Sequence, residues 1–296
     1  MTTPSSHADV TCAWLPLRSY RSYRWSMVFR SSACRAVLAF ATLGVSQAFA
    51  QEEGVVSEPA DAAPQARSWA FVDETTVPRA GEAFVQARAT YSHYSASPTR
   101  PFATNVASPG SMGELGAEAG VGGGVSLMAS AVGSDAFASS GQSSTGAVAG
   151  VRYAPALSPE NLRVAFSAAF LRELTGSSGA FLRGSATYDL GAWRFGGTGV
   201  VEKVFAKGRD EADVMLVLGV QRELVPHLRV GVEYVGQDLE GLVDDEEAEG
   251  GARHFLGGTL SYAFFDERFS IVAGPSVGLS EGAPSLLARA GLAARF

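Results

Sequence analysis

The stretch LRVAFSAAFLREL, residues 162–174, alternates between apolar positions and polar or small ones. Residues two apart on a β-strand point to the same side, so this alternation gives the stretch two different faces. One face would contact an apolar medium and the other water, which is typical of a strand in a membrane barrel. The apolar face carries Leu162, Val164, Phe166, Ala168 and Phe170, and the polar face carries Arg163, Ser167 and Glu173.

Eleven other runs of similar length lie on either side of this stretch. Runs of about ten residues suit a tilted transmembrane strand, whereas a membrane-spanning helix needs roughly 20 continuous apolar residues, which the chain lacks. We therefore predict an all-β fold, a transmembrane up-and-down antiparallel β-barrel of about 12 strands. The predicted strands are 82–93, 112–121, 125–134, 146–154, 161–173, 179–189, 193–205, 212–223, 228–237, 252–264, 268–279 and 285–296.

The connections and the aromatic residues predict how this barrel is oriented. Connections such as 122–124, 190–192 and 224–227 are short, whereas those after the first and ninth strands are long. Short periplasmic turns and longer outer loops are typical of bacterial barrels, so both termini are expected on the periplasmic side. Aromatic residues of the apolar face form a belt at that same end, as at a membrane interface. They are Tyr153, Tyr188, Trp193, Phe195, Tyr262, Phe264, Phe269 and Phe296.

The C-terminal sequence SLLARAGLAARF, residues 285–296, ends in Phe296 and has apolar residues at every second position before it. This pattern is similar to the C-terminal signature of Gram-negative outer-membrane β-barrel proteins. The resemblance implies an outer-membrane location, contact with outer-membrane lipid and recognition by the barrel-assembly machinery. Leu292, Ala294 and Phe296 would form the assembly signal. The likeness covers 81–296 as an architecture and indicates no single functional family.

The N-terminal region carries an export signal. The apolar run AVLAFATLGV, residues 36–45, follows Arg30 and Arg35 and precedes the small residues Ala48 and Ala50. This order is typical of a secretory signal peptide, so residues 1–50 are predicted to be removed. Because such signals usually run about 15–30 residues, we interpret 1–26 as a mis-assigned extension.

Cleavage after residue 50 would change the chemistry of the chain. Both cysteines, Cys12 and Cys34, precede the cleavage site, so the mature chain would carry no thiol. It would keep 18 basic and 29 acidic residues and a net charge of −11. This charge disfavours nucleic acid as a partner.

Residues 51–80 are rich in Glu, Ala, Pro and Ser and show little periodicity. Such a segment buries too little surface to offset its ordering entropy, which predicts a flexible periplasmic leader before the barrel domain at 81–296. Trp69 and Phe71 leave an alternative open, in which the leader docks on the barrel or plugs it.

One pair of residues fits nucleophilic chemistry. His93 and Ser95 share a strand face, so a base and a hydroxyl would lie together. This pair resembles outer-membrane phospholipases, which have twelve strands, a His and a Ser two residues apart, and an Asn that orients the His. The chain departs from that pattern, because Asn105 falls in the first loop and no Asn-Gly follows Ser95. We assign no catalytic residue and keep the hydrolase as a minor alternative.

The sequence predicts no metal site and no cofactor. No H-x-x-x-H spacing occurs, and the acidic loop 238–251 lacks the residue order of a calcium loop. The Gly-rich stretch 120–124 lacks the helix and Lys of a phosphate loop.

Charged residues of both signs fall on the face opposite the lipid. Barrels of eight strands are filled by side chains and those of sixteen hold a channel, so twelve strands lie between these cases. We predict a narrow channel for ions or small solutes, with a structural or adhesive surface barrel as the alternative. The residues assigned to the lumen are Arg88, Glu118, Arg163, Arg183, Arg229, Glu233 and Arg289.

Overall fold

The computed structural model describes residues 66–93, 110–135, 143–157, 161–173, 176–205, 212–239, 252–280 and 283–296. In these ranges twelve antiparallel strands form a closed barrel, which confirms the predicted all-β architecture. The described residues include no helix long and apolar enough to cross a membrane. The strands are β1 (Ala83–His93), β2 (Gly110–Gly122), β3 (Val125–Asp135), β4 (Ser143–Tyr153), β5 (Leu162–Glu173), β6 (Ser178–Leu190), β7 (Trp193–Phe205), β8 (Ala212–Val225), β9 (Leu228–Gln237), β10 (Arg253–Phe264), β11 (Phe269–Gly278) and β12 (Leu286–Arg295).

Each strand pairs with its neighbours in the chain, and β1 pairs with β12 to close the barrel. The predicted strand bounds differ from these by at most three residues, the largest difference being at the start of β4. Tight turns connect several hairpins at one end of the barrel. In the turn between β2 and β3, Gly123 and Gly124 have φ angles of +61° and +72°. Positive φ at both central residues matches the twist of a two-residue hairpin and favours glycine.

The two ends of the barrel are named here by their connections. The turn end carries the turns 123–124, 191–192 and 226–227, and the loop end carries the opposite ends of the strands, such as His93 and Gln237. The predicted aromatic belt lies at the turn end. Its members Trp193 and Tyr262 are exposed on the outer face, and the rings of Phe264 and Phe269 stack at 5.6 Å.

The outer face of the barrel is apolar. Phe166 and Leu182 expose 57% and 65% of their surface, while the alternate residues of the same strands face inward and are buried. Leu292 and Phe296 of the predicted assembly signal are exposed on this face, and Ala294 shares their parity. The Phe296 backbone completes the β1–β12 seam, with its N–H and C=O bonded to Ala83 at 2.9 and 3.1 Å.

Residues 66–79, which we call the inserted segment, correct the prediction of a flexible leader, because they lie inside the barrel. The Ala66 amide donates to Glu267 at the turn end, at 3.3 Å. The chain then runs into the lumen, bends at residues 70–72 and returns to the turn end, where Ala80 pairs with Gly120. Residues 1–65, including the predicted signal peptide, lie outside the described residues.

Burial and contacts with the barrel wall explain why the inserted segment is ordered, although its overall composition is typical of a flexible segment. Its apolar residues are concentrated in one short run, Trp69–Val72, and all four are buried. Burial of a Trp and a Phe contributes several kcal/mol, and the segment adds ion pairs to the wall on both sides of this run. These contacts offset an ordering entropy that the surrounding polar sequence alone would not offset.

Candidate functional site

The barrel interior has an apolar layer near the loop end and charged groups below it. The apolar layer consists of fully buried side chains that continue into the Trp69–Val72 run of the inserted segment. Below it, toward the turn end, the wall and the segment meet mainly through charged and polar groups. The apolar layer contains Leu171, Val217, Val235, Phe255 and Leu287.

The inner wall is shaped around Trp69. A Cβ atom added to Gly219 would lie 2.6 Å from the indole, and one added to Gly196 would lie 2.8 Å from it. A Cβ added to Gly274 would lie 2.5 Å from the Cβ of Ala70. These approaches are closer than real Cβ contacts, so the wall leaves room for the segment only because these positions lack side chains.

Glu233 of β9 holds the bend of the segment. Its carboxylate accepts hydrogen bonds from the amides of Ala70, Phe71 and Val72 at 2.9, 2.7 and 2.9 Å. Only 1% of Glu233 is exposed. A buried carboxylate is costly unless it is hydrogen-bonded or paired, and the three successive backbone N–H groups meet that need.

Asp73 lies among three wall arginines. Its Oδ2 accepts from Arg152 and from Arg183, the latter at 2.9 Å, and its Oδ1 lies 3.9 Å from Arg88. Its amide donates to Thr198 at 2.9 Å. Burial alone would raise the pKa of the Asp73 carboxyl, but the positive charges of Arg152 and Arg183 outweigh burial and lower the pKa below its ordinary value. Asp73 is therefore an anion held by the barrel wall.

Arg152 links this cluster to a second carboxylate. Glu118 accepts from Arg152 at 3.1 Å, from Arg67 of the inserted segment at 2.9 Å and from Ser126 at 2.6 Å. The network thus alternates in sign from Arg67 to Arg183. Alternation lets each buried charge face an opposite one, which a buried ion requires.

Arg289 of β12 contacts the other side of the bend. Its guanidinium lies 4.8 Å from the centre of the Phe71 ring and donates to the Ala70 carbonyl at 3.3 Å. It also donates to Thr90 at 3.1 Å. Cation–π attraction is strengthened where water is excluded, so Arg289 helps to hold the aromatic residue in the lumen.

A further group of charges lies near the turn end. Asp189 accepts from Arg163 at 2.6 Å and from Arg194 at 2.8 Å, and Arg229 pairs with Glu223. Arg194 also donates to the Ser68 hydroxyl at 3.2 Å. This group connects the entrance of the inserted segment to β5, β6 and β7.

The structure places all seven predicted lumen residues on the interior face. Five of them surround the inserted segment or bind its partners, and two lie in the turn-end group. The first set is Arg88, Glu118, Arg183, Glu233 and Arg289, and the second is Arg163 and Arg229.

The sequence analysis did not identify the residues of the inserted segment that contact these wall residues. The sequence assigns no role to Arg67 and Asp73, and it leaves docking or plugging by Trp69 and Phe71 as an alternative to the flexible leader. Two features of the sequence together point to docking of this segment. One is the four-residue apolar run, and the other is the presence of glycines, Gly196 and Gly219, at inward-facing positions of β7 and β8.

The residues considered for other chemistry lie elsewhere. His93 is at the loop end on the outer face, where its Nδ1 lies 3.3 Å from the Tyr91 hydroxyl. Ser95, Asn105 and residues 240–251 of the acidic loop fall outside the described residues. Within the ranges that the structure describes, no group of three or more His, Cys, Asp or Glu side chains could hold a metal ion.

A cavity of about 90 Å³ adjoins Asp73 on the side of β1 to β4. Its wall includes Arg88, Arg152, Arg183 and Arg289, with Glu114 and Glu118 as wall carboxylates. At least 10–15 Å³ per water would allow on the order of six waters in this space. The interior beside the arginines is therefore not fully packed.

Comparison with known proteins shows the fold alone. No family model matches the chain, and no curated protein matches it. An outer membrane channel from Pseudomonas putida F1 superposes with a TM-score of 0.51 at 11% identity, covering 83% of this chain and 100% of the other. The KdgM porin gives 0.47 at 9% identity, with coverages of 72% and 99%. Pseudomonas aeruginosa OccK7 (OpdD) gives 0.36 at 14%, with coverages of 72% and 63%. The chain has the β-barrel fold of outer-membrane channels.

Proposed function

We propose that this protein is an outer-membrane channel for ions or small solutes that its own inserted segment closes. The observation that carries the proposal is the charge of the wall that the segment covers, with Arg152, Arg183 and Glu233 turned toward it. Apolar packing would seal a barrel at least as well as buried ion pairs, because the desolvation cost of such pairs often cancels their attraction. A wall of charged side chains is therefore better explained by a lumen that water fills when the inserted segment withdraws.

The membrane location is part of the same proposal. The outer face exposes large apolar side chains, and aromatic residues such as Trp193 and Tyr262 gather at the turn end. Both features suit a barrel in lipid. The export signal and the C-terminal pattern support transfer to the outer membrane by the barrel-assembly machinery, with both termini in the periplasm.

Withdrawal of the segment would leave a lining that water can solvate. Glu233 would exchange three amide hydrogen bonds for water, and Arg152 would keep Glu118 as a partner. The apolar layer that contains Val217 and Phe255 would remain near the loop end. Hydrophobic constrictions restrict the passage of ions, so a small unit conductance is expected.

Planar-bilayer recording tests the proposal. The mature chain should conduct rarely, whereas a variant in which residues 66–79 are replaced by Gly and Ser of equal length should conduct steadily. The matched control replaces residues 52–65 in the same way and should behave as the parent. A correctly folded 66–79 variant with no conductance would contradict the proposal.

A structural barrel is the second candidate, and one observation favours it. The apolar layer is continuous with Trp69–Val72, so the inserted segment also completes a hydrophobic core. On this hypothesis the 66–79 variant stays non-conducting and loses much of its thermal stability. Conductance and the melting temperature of the same variant therefore separate the two functions.

A further inference from the structure

We propose that Asp73 occupies a binding site for the carboxylate group of a small anionic solute. The proposal rests on the channel function above and names the class of solute. Asp73 is the acidic side chain of the inserted segment that lies between wall arginines, and it belongs to the segment rather than to the wall. When the segment withdraws, the wall groups that bind its carboxylate stay behind.

The wall provides the geometry for such a ligand. Arg152 and Arg183 reach one oxygen of the Asp73 carboxylate, and Arg88 faces the other. Guanidinium groups are planar donors that match carboxylates, and hydrogen bonds between charged partners are roughly twice as strong as neutral ones. A free carboxylate in the same position would make the same three contacts.

The charge of the surroundings favours an anion once Asp73 has left. Four wall arginines line the adjoining cavity against two wall glutamates, Glu114 and Glu118. Arg67 and Glu74 of the inserted segment also face this cluster and would leave together with Asp73. The wall that remains therefore keeps an excess of positive charge where the carboxylate was bound.

While the inserted segment is docked, the adjoining space limits the size of a probe molecule that replaces the Asp73 carboxylate. The cavity of about 90 Å³ borders Asp73, Arg88 and Arg183, so a small organic group attached to the carboxylate fits without displacing the wall. Formate and acetate are the simplest probes, and acetamide is a neutral molecule of nearly the same shape as acetate.

The first test is thermal melting of the detergent-solubilised Asp73→Ala protein. Its Tm should fall below that of the parent, because Arg183 and Arg152 lose the carboxylate between them and only Arg152 keeps a second one, Glu118. Acetate should recover most of the lost Tm, with a shift that grows with the logarithm of its concentration. Acetamide, and chloride at the same ionic strength, should leave the Tm unchanged.

Glu74→Ala is the matched control, because Glu74 is an equally buried acid of the same segment. Its carboxylate accepts from the Ser68 amide at 2.6 Å, so acetate should not restore the Tm of this variant. Equal responses to acetate in the two variants, or equal responses to acetate and acetamide in Asp73→Ala, would overturn the proposal.

The protein with Gly and Ser at residues 66–79 gives a second measurement if Asp73→Ala does not fold. Acetate should raise the Tm of this barrel, and adding Arg183→Gln should abolish the effect; an unchanged acetate response would overturn the site. Steady conductance without an acetate effect would refute the anion site alone. An acetate effect without conductance would refute the channel and leave the site.

Discussion

Replacement of Trp69 by Ala measures how firmly the inserted segment is held. The indole is only 3% exposed and packs against the glycines of β7 and β8. Truncating a buried Trp or Phe to Ala costs roughly 3–5 kcal/mol. Trp69 takes no part in strand pairing, so this cost should fall on docking of the segment. About 3 kcal/mol raises the ratio of withdrawn to docked segment about a hundredfold, since 1.4 kcal/mol is a factor of ten.

Cysteine labelling reads out this ratio directly. In a chain with Cys12 and Cys34 replaced by Ser, Ser68→Cys places a thiol at a position that is 4% exposed when the segment is docked. A water-soluble maleimide then reacts at a rate set by the withdrawn fraction, provided that docking is fast compared with labelling. Trp69→Ala should raise that rate about a hundredfold. Ala156→Cys, exposed at the turn end, should react equally with or without Trp69.

Two results would refute this reasoning. If Ser68→Cys reacts at the same rate in both backgrounds, Trp69 does not hold the segment in place. If the labelling rate rises only as the whole barrel melts, the segment and the barrel unfold together, and the segment cannot act as a gate.

Other substitutions test neighbouring parts of the structure. Gly219→Ala should also speed labelling, because its Cβ would lie 2.6 Å from Trp69, whereas Gly199→Ala, with no atom within 4 Å of its Cβ, should not. In the conducting 66–79 variant, Arg229→Ala with Arg289→Ala should shift the reversal potential toward cations; unchanged selectivity would show that the two arginines do not line the path. Deletion of Phe296 should slow insertion into the outer membrane while Phe296→Tyr does not, and an unchanged insertion rate would disprove the assembly signal.

The strands could be predicted from the sequence because one simple constraint acts on every residue of them. Each strand separates an outer medium from an interior, so its residues alternate in polarity, as Phe166 and Ser167 do. The same parity identified the inward charges, including Arg183 and Glu233. Alternation predicts which side of the barrel wall a side chain faces, but not which residues it contacts on that side. The ion-pair partners of these charges were therefore not predictable.

The inserted segment was not predictable in the same way. Its order comes from contacts with residues more than a hundred positions away, such as Asp73 with Arg183 and the Phe71 amide with Glu233. The amino-acid composition of residues 66–79 does not indicate these partners. The sequence shows the apolar run Trp69–Val72. Its burial, however, depends on glycines at inward-facing positions, and these come together around the run only when the barrel is closed.

The path of the inserted segment has a topological consequence. Ala66 and Ala80 both lie at the turn end, so the segment is a loop pushed into the lumen from one side. Retreat of a loop needs no chain terminus to thread through the bore, whatever precedes residue 66. On the channel function proposed above, opening and closing would then need no unfolding of the barrel and would fall on the nanosecond-to-millisecond scale of loop and hinge motions. A folded tag fused ahead of Ala66 would accordingly leave both movements unobstructed.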